Sequence, residues 1–104
     1  MNESSVIVVR VYLHEAKAHM EELLQYLHDK SKVRGVTVFR GITGFGNSGN
    51  YHSSKLIDMS LDLPVVIEFY DEEDKVKEII KYLNTRIKPG HIVYWNAKVN
   101  EKLD

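Results

Sequence analysis

The chain has 104 residues, of which 43 % are apolar and 28 % charged, and its formal charge is −1 at pH 7. That is enough for one domain, residues 1–104, with a single modest core. The near-neutral balance leaves no broad electrostatic footprint for nucleic acid, and the lack of cysteine excludes disulfides, thiolate zinc sites and cysteine nucleophiles.

Residues 5–13, SVIVVRVYL, alternate with period two. Ile7, Val9, Val11 and Leu13 fall on one face and Val6, Val8, Arg10 and Tyr12 on the other, the pattern of a strand. Glu3 precedes this run and Arg10 interrupts it, so it reads as neither signal peptide nor membrane span. A cytoplasmic protein without membrane insertion is expected. Over residues 15–30 the period becomes helical, with Ala16, Met20, Leu23, Leu24 and Leu27 inward. Gly35 is the expected turn after this helix. Residues 36–40, VTVFR, form a second strand.

A glycine-rich stretch follows, RGITGFGNSGNYHSS at 40–54, holding four of the six glycines. Gly44 to Gly49 matches G-x-G-x-x-G, but a dinucleotide fingerprint must open a crossover helix within a parallel β-α-β unit. No amphipathic helix follows here, so that reading fails. What remains is a connection of roughly 20 residues where a short hairpin would serve. Connections that long in a compact domain are usually functional, and glycines let backbone amides approach an anion.

Residues 63–70, LPVVIEFY, read as a third strand with Pro64 at its start. Asp71 and Asp74 resemble a capping box for a second helix, whose stripe is Val76, Ile79, Ile80, Leu83 and Ile87. Lys88-Pro89-Gly90 ends it, and residues 91–99 form a fourth strand. The order β-α-β-β-α-β is ferredoxin-like: an α+β fold with a four-stranded antiparallel sheet and two helices on one face. The helix-facing set is drawn as Ile7, Val9, Val11, Phe39, Val65, Ile67, Phe69, Val93, Trp95 and Ala97. The open face then carries Val8, Arg10, Tyr12, Val36, Val38, Arg40, Val66, Glu68, Tyr70, Tyr94, Asn96 and Lys98. Valines and tyrosines mixed with paired charges suggest a face buried between copies of the chain.

F-R-G-I-T-G-F-G at 39–46, with S-L-D-L-P-V-V-I-E at 60–68, resembles an uncharacterised family within the PII-like signalling superfamily. Gly44-Phe45-Gly46 also resembles the G-F-G that opens the long T-loop of PII regulators. The resemblance implies a homotrimer that binds an adenine nucleotide (AMP, ADP or ATP) in clefts between subunits. The movable segment, about residues 41–60 with its signalling part at 47–60, then controls a protein target such as a membrane transporter or channel. No chemistry on a substrate is implied, no catalytic residue is named and no cofactor is required; a role for Mg²⁺ is left open. The nucleotide-binding set this implies is Arg40, Gly41, Gly44, Phe45, Gly46, Lys88, Gly90 and His91. Phe45 either stacks on the base or, the favoured role, anchors the loop. Arg86 is a further phosphate candidate. The PII phosphate loop is longer and richer in glycine than Lys88-Pro89-Gly90-His91-Ile92, which suits a mono- or diphosphate better than a triphosphate.

Two alternatives carry less of the sequence. His52 and His91 are candidate metal ligands, which would fit a CutA-like metal-tolerance protein; His14, His19 and His28 read as solvated helix residues. An RNA-binding ferredoxin-fold module would stack bases on Tyr12 and Tyr70, against the neutral charge and Glu68.

Overall fold

The computed structural model describes residues 2–14, 19–45, 52–53 and 63–101. Strand β1 runs over Asn2–His14, helix α1 over His19–Gln25, β2 over Val36–Arg40 and β5 over Pro64–Asp71. Helix α2 covers Glu73–Leu83 and β6 Ile92–Glu101. These four strands form one antiparallel sheet in the order β2-β5-β1-β6. The expected β-α-β-β-α-β arrangement is therefore present, with a two-residue ribbon added between β2 and β5: β3 (Thr43–Gly44) pairs with β4 (His52–Ser53).

The core lies between the helices and the two central strands. Val9 and Val11 of β1 oppose Phe69 and Ile67 of β5. These four pack with Leu23 and Leu27 from the first helical segment and Val76, Ile79 and Leu83 from α2. All nine are at most 3 % exposed, and burial of each such side chain contributes about 1.5–3 kcal/mol. The helices also meet at their surface, where the Tyr26 and Tyr82 rings stack with centroids 3.7 Å apart and planes 7° from parallel. Arg86 lies over the Tyr82 ring at 4.9 Å and its Nε donates to Glu22.

The first helix does not stay α-helical to its end. Residues Tyr26–Ser31 form a wider π-type turn, in which the Lys32 N–H reaches back five residues to the Leu27 carbonyl. Lys32, at φ 52° and ψ 51°, adopts the left-handed conformation that ends the helix, a role expected for Gly35. Gly90, at φ +89°, does supply the turn before β6.

Asp71 is not the cap of α2. It closes β5 and is 5 % exposed. One carboxylate oxygen accepts from the Glu72 N–H at 2.8 Å; the other accepts from the Arg34 N–H at 3.1 Å and Lys75 Nζ at 3.4 Å. The carboxylate thus ties the segment before β2 to the start of α2. His14 is also reassigned: it ends β1 opposite Pro64 rather than lying on a helix.

The register reverses the faces expected for both edge strands. Val36, Val38 and Arg40 oppose Phe69, Ile67 and Val65, so they lie on the helix side, and Phe39 turns to the open face. Likewise Tyr94 and Asn96 oppose Val9 and Ile7, while Val93, Trp95 and Ala97 oppose Arg10, Val8 and Val6 on the open face. In an antiparallel pair opposed side chains share a face. Alternation within an edge strand supplies two apolar sets here and does not say which one turns inward.

Candidate functional site

The residues expected to bind a ligand sit at one end of the sheet. Arg40 ends β2 opposite Val65, and Gly41 follows it, its N–H donating to the Pro64 carbonyl at 2.7 Å. At the same end the Tyr12 N–H donates to the His91 carbonyl at 2.9 Å, and His91 Nδ1 lies 3.2 Å from the Tyr12 carbonyl oxygen. That contact requires a proton on Nδ1 and leaves Nε2 as the acceptor in the neutral ring. Lys88 and Gly90 are exposed beside it.

The two halves of the set lie on opposite edges. Arg40, Gly41, Gly44 and Phe45 belong to the β2 edge; Lys88, Gly90 and His91 belong to the β6 edge. Three strand spacings separate those edges, about 14 Å at ~4.8 Å each. One chain therefore does not bring the set together around one small ligand. Phe45 is 65 % exposed and Ile42 75 %. The Gly41 N–H is already committed to Pro64. Gly46 and most of the expected signalling segment, all but His52 and Ser53, lie outside the described residues.

Arg86 Nε donates to Glu22 and its guanidinium lies over the Tyr82 ring; the hydrogen bond to Glu22, foremost, raises its pKa. Among the described residues no three His, Cys, Asp or Glu side chains cluster as a metal site requires. No helix among them is long and apolar enough to cross a membrane.

The open sheet face is the other notable surface. Tyr12, Phe39, Val93 and Trp95 remain 40–47 % exposed on it. Arg10 lies among them, its Nε bonded to Glu68 Oε1 at 2.7 Å and its guanidinium 6.0 Å from the Phe39 ring and 5.8 Å from the Trp95 ring. The hydrogen bond to Glu68 is the largest influence raising the Arg10 pKa, followed by Tyr12. The register therefore makes this face more aromatic than alternation alone suggested, because it brings Phe39 and Trp95 to it.

A groove of about 610 Å³ runs beside β2 under the end of the first helix, with Leu24, Leu27, Val33, Val36 and Val38 as apolar lining and His28, Lys32 and Arg34 at its polar side. Sequence reasoning did not single out this place. Its lining is split between a helix end and an edge strand, and only tertiary contact joins them.

Residues 6–99 match the family model DUF190, described as uncharacterized ACR. A UPF0166 protein of Aquifex aeolicus is 30 % identical over 95 residues, covering 91 % of this chain and 97 % of that one. Another UPF0166 protein, from Methanocaldococcus jannaschii, is 29 % identical over 83 % of this chain and 82 % of its own. Among solved structures, CPII from Thiomonas intermedia K12, a nitrogen regulatory PII-like protein bound to ADP, AMP and bicarbonate, superposes with a TM-score of 0.73. The two chains are 19 % identical, with 96 % of this chain and 92 % of that one covered. GlnK of B. subtilis in complex with ATP gives a TM-score of 0.51 at 19 % identity, covering 91 % and 82 %. At these identities the structural likeness shows the fold.

Proposed function

The chain belongs to the DUF190 family and has the PII-like fold, and we propose that it is a regulatory protein that binds an adenine nucleotide between copies of itself. The observation that carries this reading is the split of the candidate set between two edges at one end of the sheet. Neighbouring copies packed through their open faces would bring the β2 edge of one, with Arg40, Gly44 and Phe45, toward the β6 edge of the next, with Lys88 and His91. Lys88 and Arg40 supply positive charge for phosphate oxygens. Phe45 supplies a ring face for the base, and His91 Nε2 accepts a hydrogen bond from a hydroxyl or amino group. Ordering the glycine-rich segment around the ligand would then change what the assembly presents to a partner protein. The aromatic open face supports assembly, and the nucleotides bound by CPII, a protein of the same fold, support the ligand class.

The test is complementation. Arg40→Ala and Lys88→Ala chains are each titrated with AMP, ADP and ATP, with and without Mg²⁺, then unfolded together, refolded as mixed assemblies and titrated again. Both variants are expected to lose binding alone. In a ring with head-to-tail contacts, about a quarter of randomly mixed sites combine two intact edges, so binding returns to that fraction. Mixed assemblies that stay silent would show that the site is not shared between copies.

A further inference from the structure

The two described glycines at the loop base, Gly41 and Gly44, meet the same object. A Cβ built on Gly41 would lie 2.9 Å from Pro64 Cγ and 3.3 Å from the Pro64 carbonyl oxygen. A Cβ on Gly44 would lie 3.3 Å from Pro64 Cγ and 3.7 Å from its Cβ. The Gly41 N–H donates to that same carbonyl at 2.7 Å. Neither glycine has a positive φ, so backbone conformation does not explain them. Close approach to Pro64 does. The ring is held in turn, because Pro64 opens β5 opposite His14 of β1 in the central pair of strands, flanked by Leu63 and Val65, both at most 6 % exposed. Proline fixes its own φ and pairing of β5 with β1 holds the rest of its backbone, so ring and carbonyl are presented together at the end of the sheet.

We propose that Pro64 is a positioning residue that seats the base of the glycine-rich segment. Its carbonyl fixes Gly41 and its pyrrolidine ring carries Gly41 and Gly44, so ribbon β3–β4 leaves the sheet in one direction. On the nucleotide-binding reading, on which the functional part of this inference rests, Pro64 fixes where Gly44 and Phe45 meet the ligand without touching it. Gly41 then belongs to the seat rather than to the ligand. In sequence, F-R-G-I-T-G and L-P-V-V-I-E are one device read in two pieces.

The test is a double-mutant cycle on the full chain without nucleotide. Lys55 is the only lysine or arginine between Arg40 and Lys75, so tryptic cleavage there, identified by mass spectrometry, reports on the segment carried by the ribbon. Gly41→Ala drives a methyl against the ring and is expected to raise cleavage at Lys55 several-fold. Pro64→Ala removes the ring and raises it less. In the double variant the 2.9 Å contact with Cγ is gone and only the 3.3 Å approach to the carbonyl oxygen remains, so cleavage falls back toward the Pro64→Ala rate instead of multiplying the two effects. Thermal melts confirm that each variant is folded; should Gly41→Ala fail to fold, the milder Gly44→Ala takes its place, with a smaller effect suppressed in the same way. Cleavage unchanged by the glycine variant, or a double variant in which the effects multiply, overturns the seat. ADP titration separates the two readings. If the wild-type chain binds ADP, the glycine variant should bind at least several-fold more weakly and the double variant should recover toward Pro64→Ala. If the wild-type chain binds no nucleotide, the function proposed above fails while the cleavage cycle still decides the seat.

Discussion

Removing Trp95 tests whether the open sheet face is covered by other copies of the chain. A tryptophan side chain presents roughly 250 Å², so its 42 % exposure leaves roughly 100 Å² to be buried on assembly. At ~25 cal/mol/Å² that is about 2.5 kcal/mol for each subunit, nearly two powers of ten in each association constant at 1.4 kcal/mol per tenfold. Trp95→Ala also strips one of the two rings flanking the Arg10 guanidinium, removing a further contribution of about 0.5–1 kcal/mol where the cation is partly solvated. Sedimentation equilibrium over a thousandfold range of concentration is the assay. Wild-type chain is expected to hold its assembly mass, and Trp95→Ala to dissociate toward monomer at concentrations at least a hundredfold higher than wild type does. Trp95→Phe should fall between. Because Trp95 is the only tryptophan, wild-type emission should stay constant over that range and shift to the red only on dilution beyond it, where the assembly dissociates and the ring returns to water. A wild-type chain that sediments as a monomer, or a Trp95→Ala assembly as tight as wild type, would refute the reasoning. A monomer whose exposed aromatics bound single-stranded RNA with steep salt dependence would replace it.

Three further outcomes follow from particular contacts. Asp71→Ala leaves the Arg34 and Glu72 N–H groups without their acceptor and is expected to cost about 2–4 kcal/mol in urea unfolding; a loss below about 0.5 kcal/mol would mean water satisfies both. Lys32→Gly relieves a left-handed residue at the end of the π-type turn and should stabilise the fold by about 0.5–1 kcal/mol, read as a rise in the melting temperature. Glu101 has a pKa lowered first by its hydrogen bond with Ser4 and then by Arg34. A lowered folded-state pKa adds stability that is present above the unfolded value and lost as pH falls through the folded one. Glu101→Gln should therefore lower stability slightly in the neutral region, where that contribution is present, leave the acid extreme nearly unchanged, and so flatten the acid limb below about pH 4.5; an unaltered acid limb would assign the effect elsewhere.

The element order was legible in the sequence because each element carries its own period. Residues 5–13 alternate and α2 repeats Val76, Ile79 and Leu83, ending at Leu83 rather than at the expected Lys88-Pro89-Gly90, and neither period needs a distant contact. The end of the first helix was not legible, since no local rule marks Lys32 rather than Gly35 as the left-handed residue. The family was legible as well: G-F-G and L-P-V-V-I-E are short and contiguous, and they sit in a match spanning residues 6–99.

The faces of the edge strands were decided only by tertiary structure. Both Val36/Val38 and Phe39 are apolar, as are both Ile92/Tyr94 and Val93/Trp95, so the hydrophobic effect gives no preference until pairing with β5 and β1 fixes the phase. Candidate ligand residues could likewise be named singly from the sequence, but not placed on opposite edges of one sheet, because strand order is a property of the whole chain. The glycines show the same division. Gly41 and Gly44 stand out in any reading of residues 40–54, yet what they accommodate lies some twenty residues downstream. The sequence by itself determined which segments are strands and helices, because periodicity is local. Which surfaces those segments share, and so where a ligand or a second copy can meet them, was decided by the register of β1, β2, β5 and β6, which is set by long-range packing.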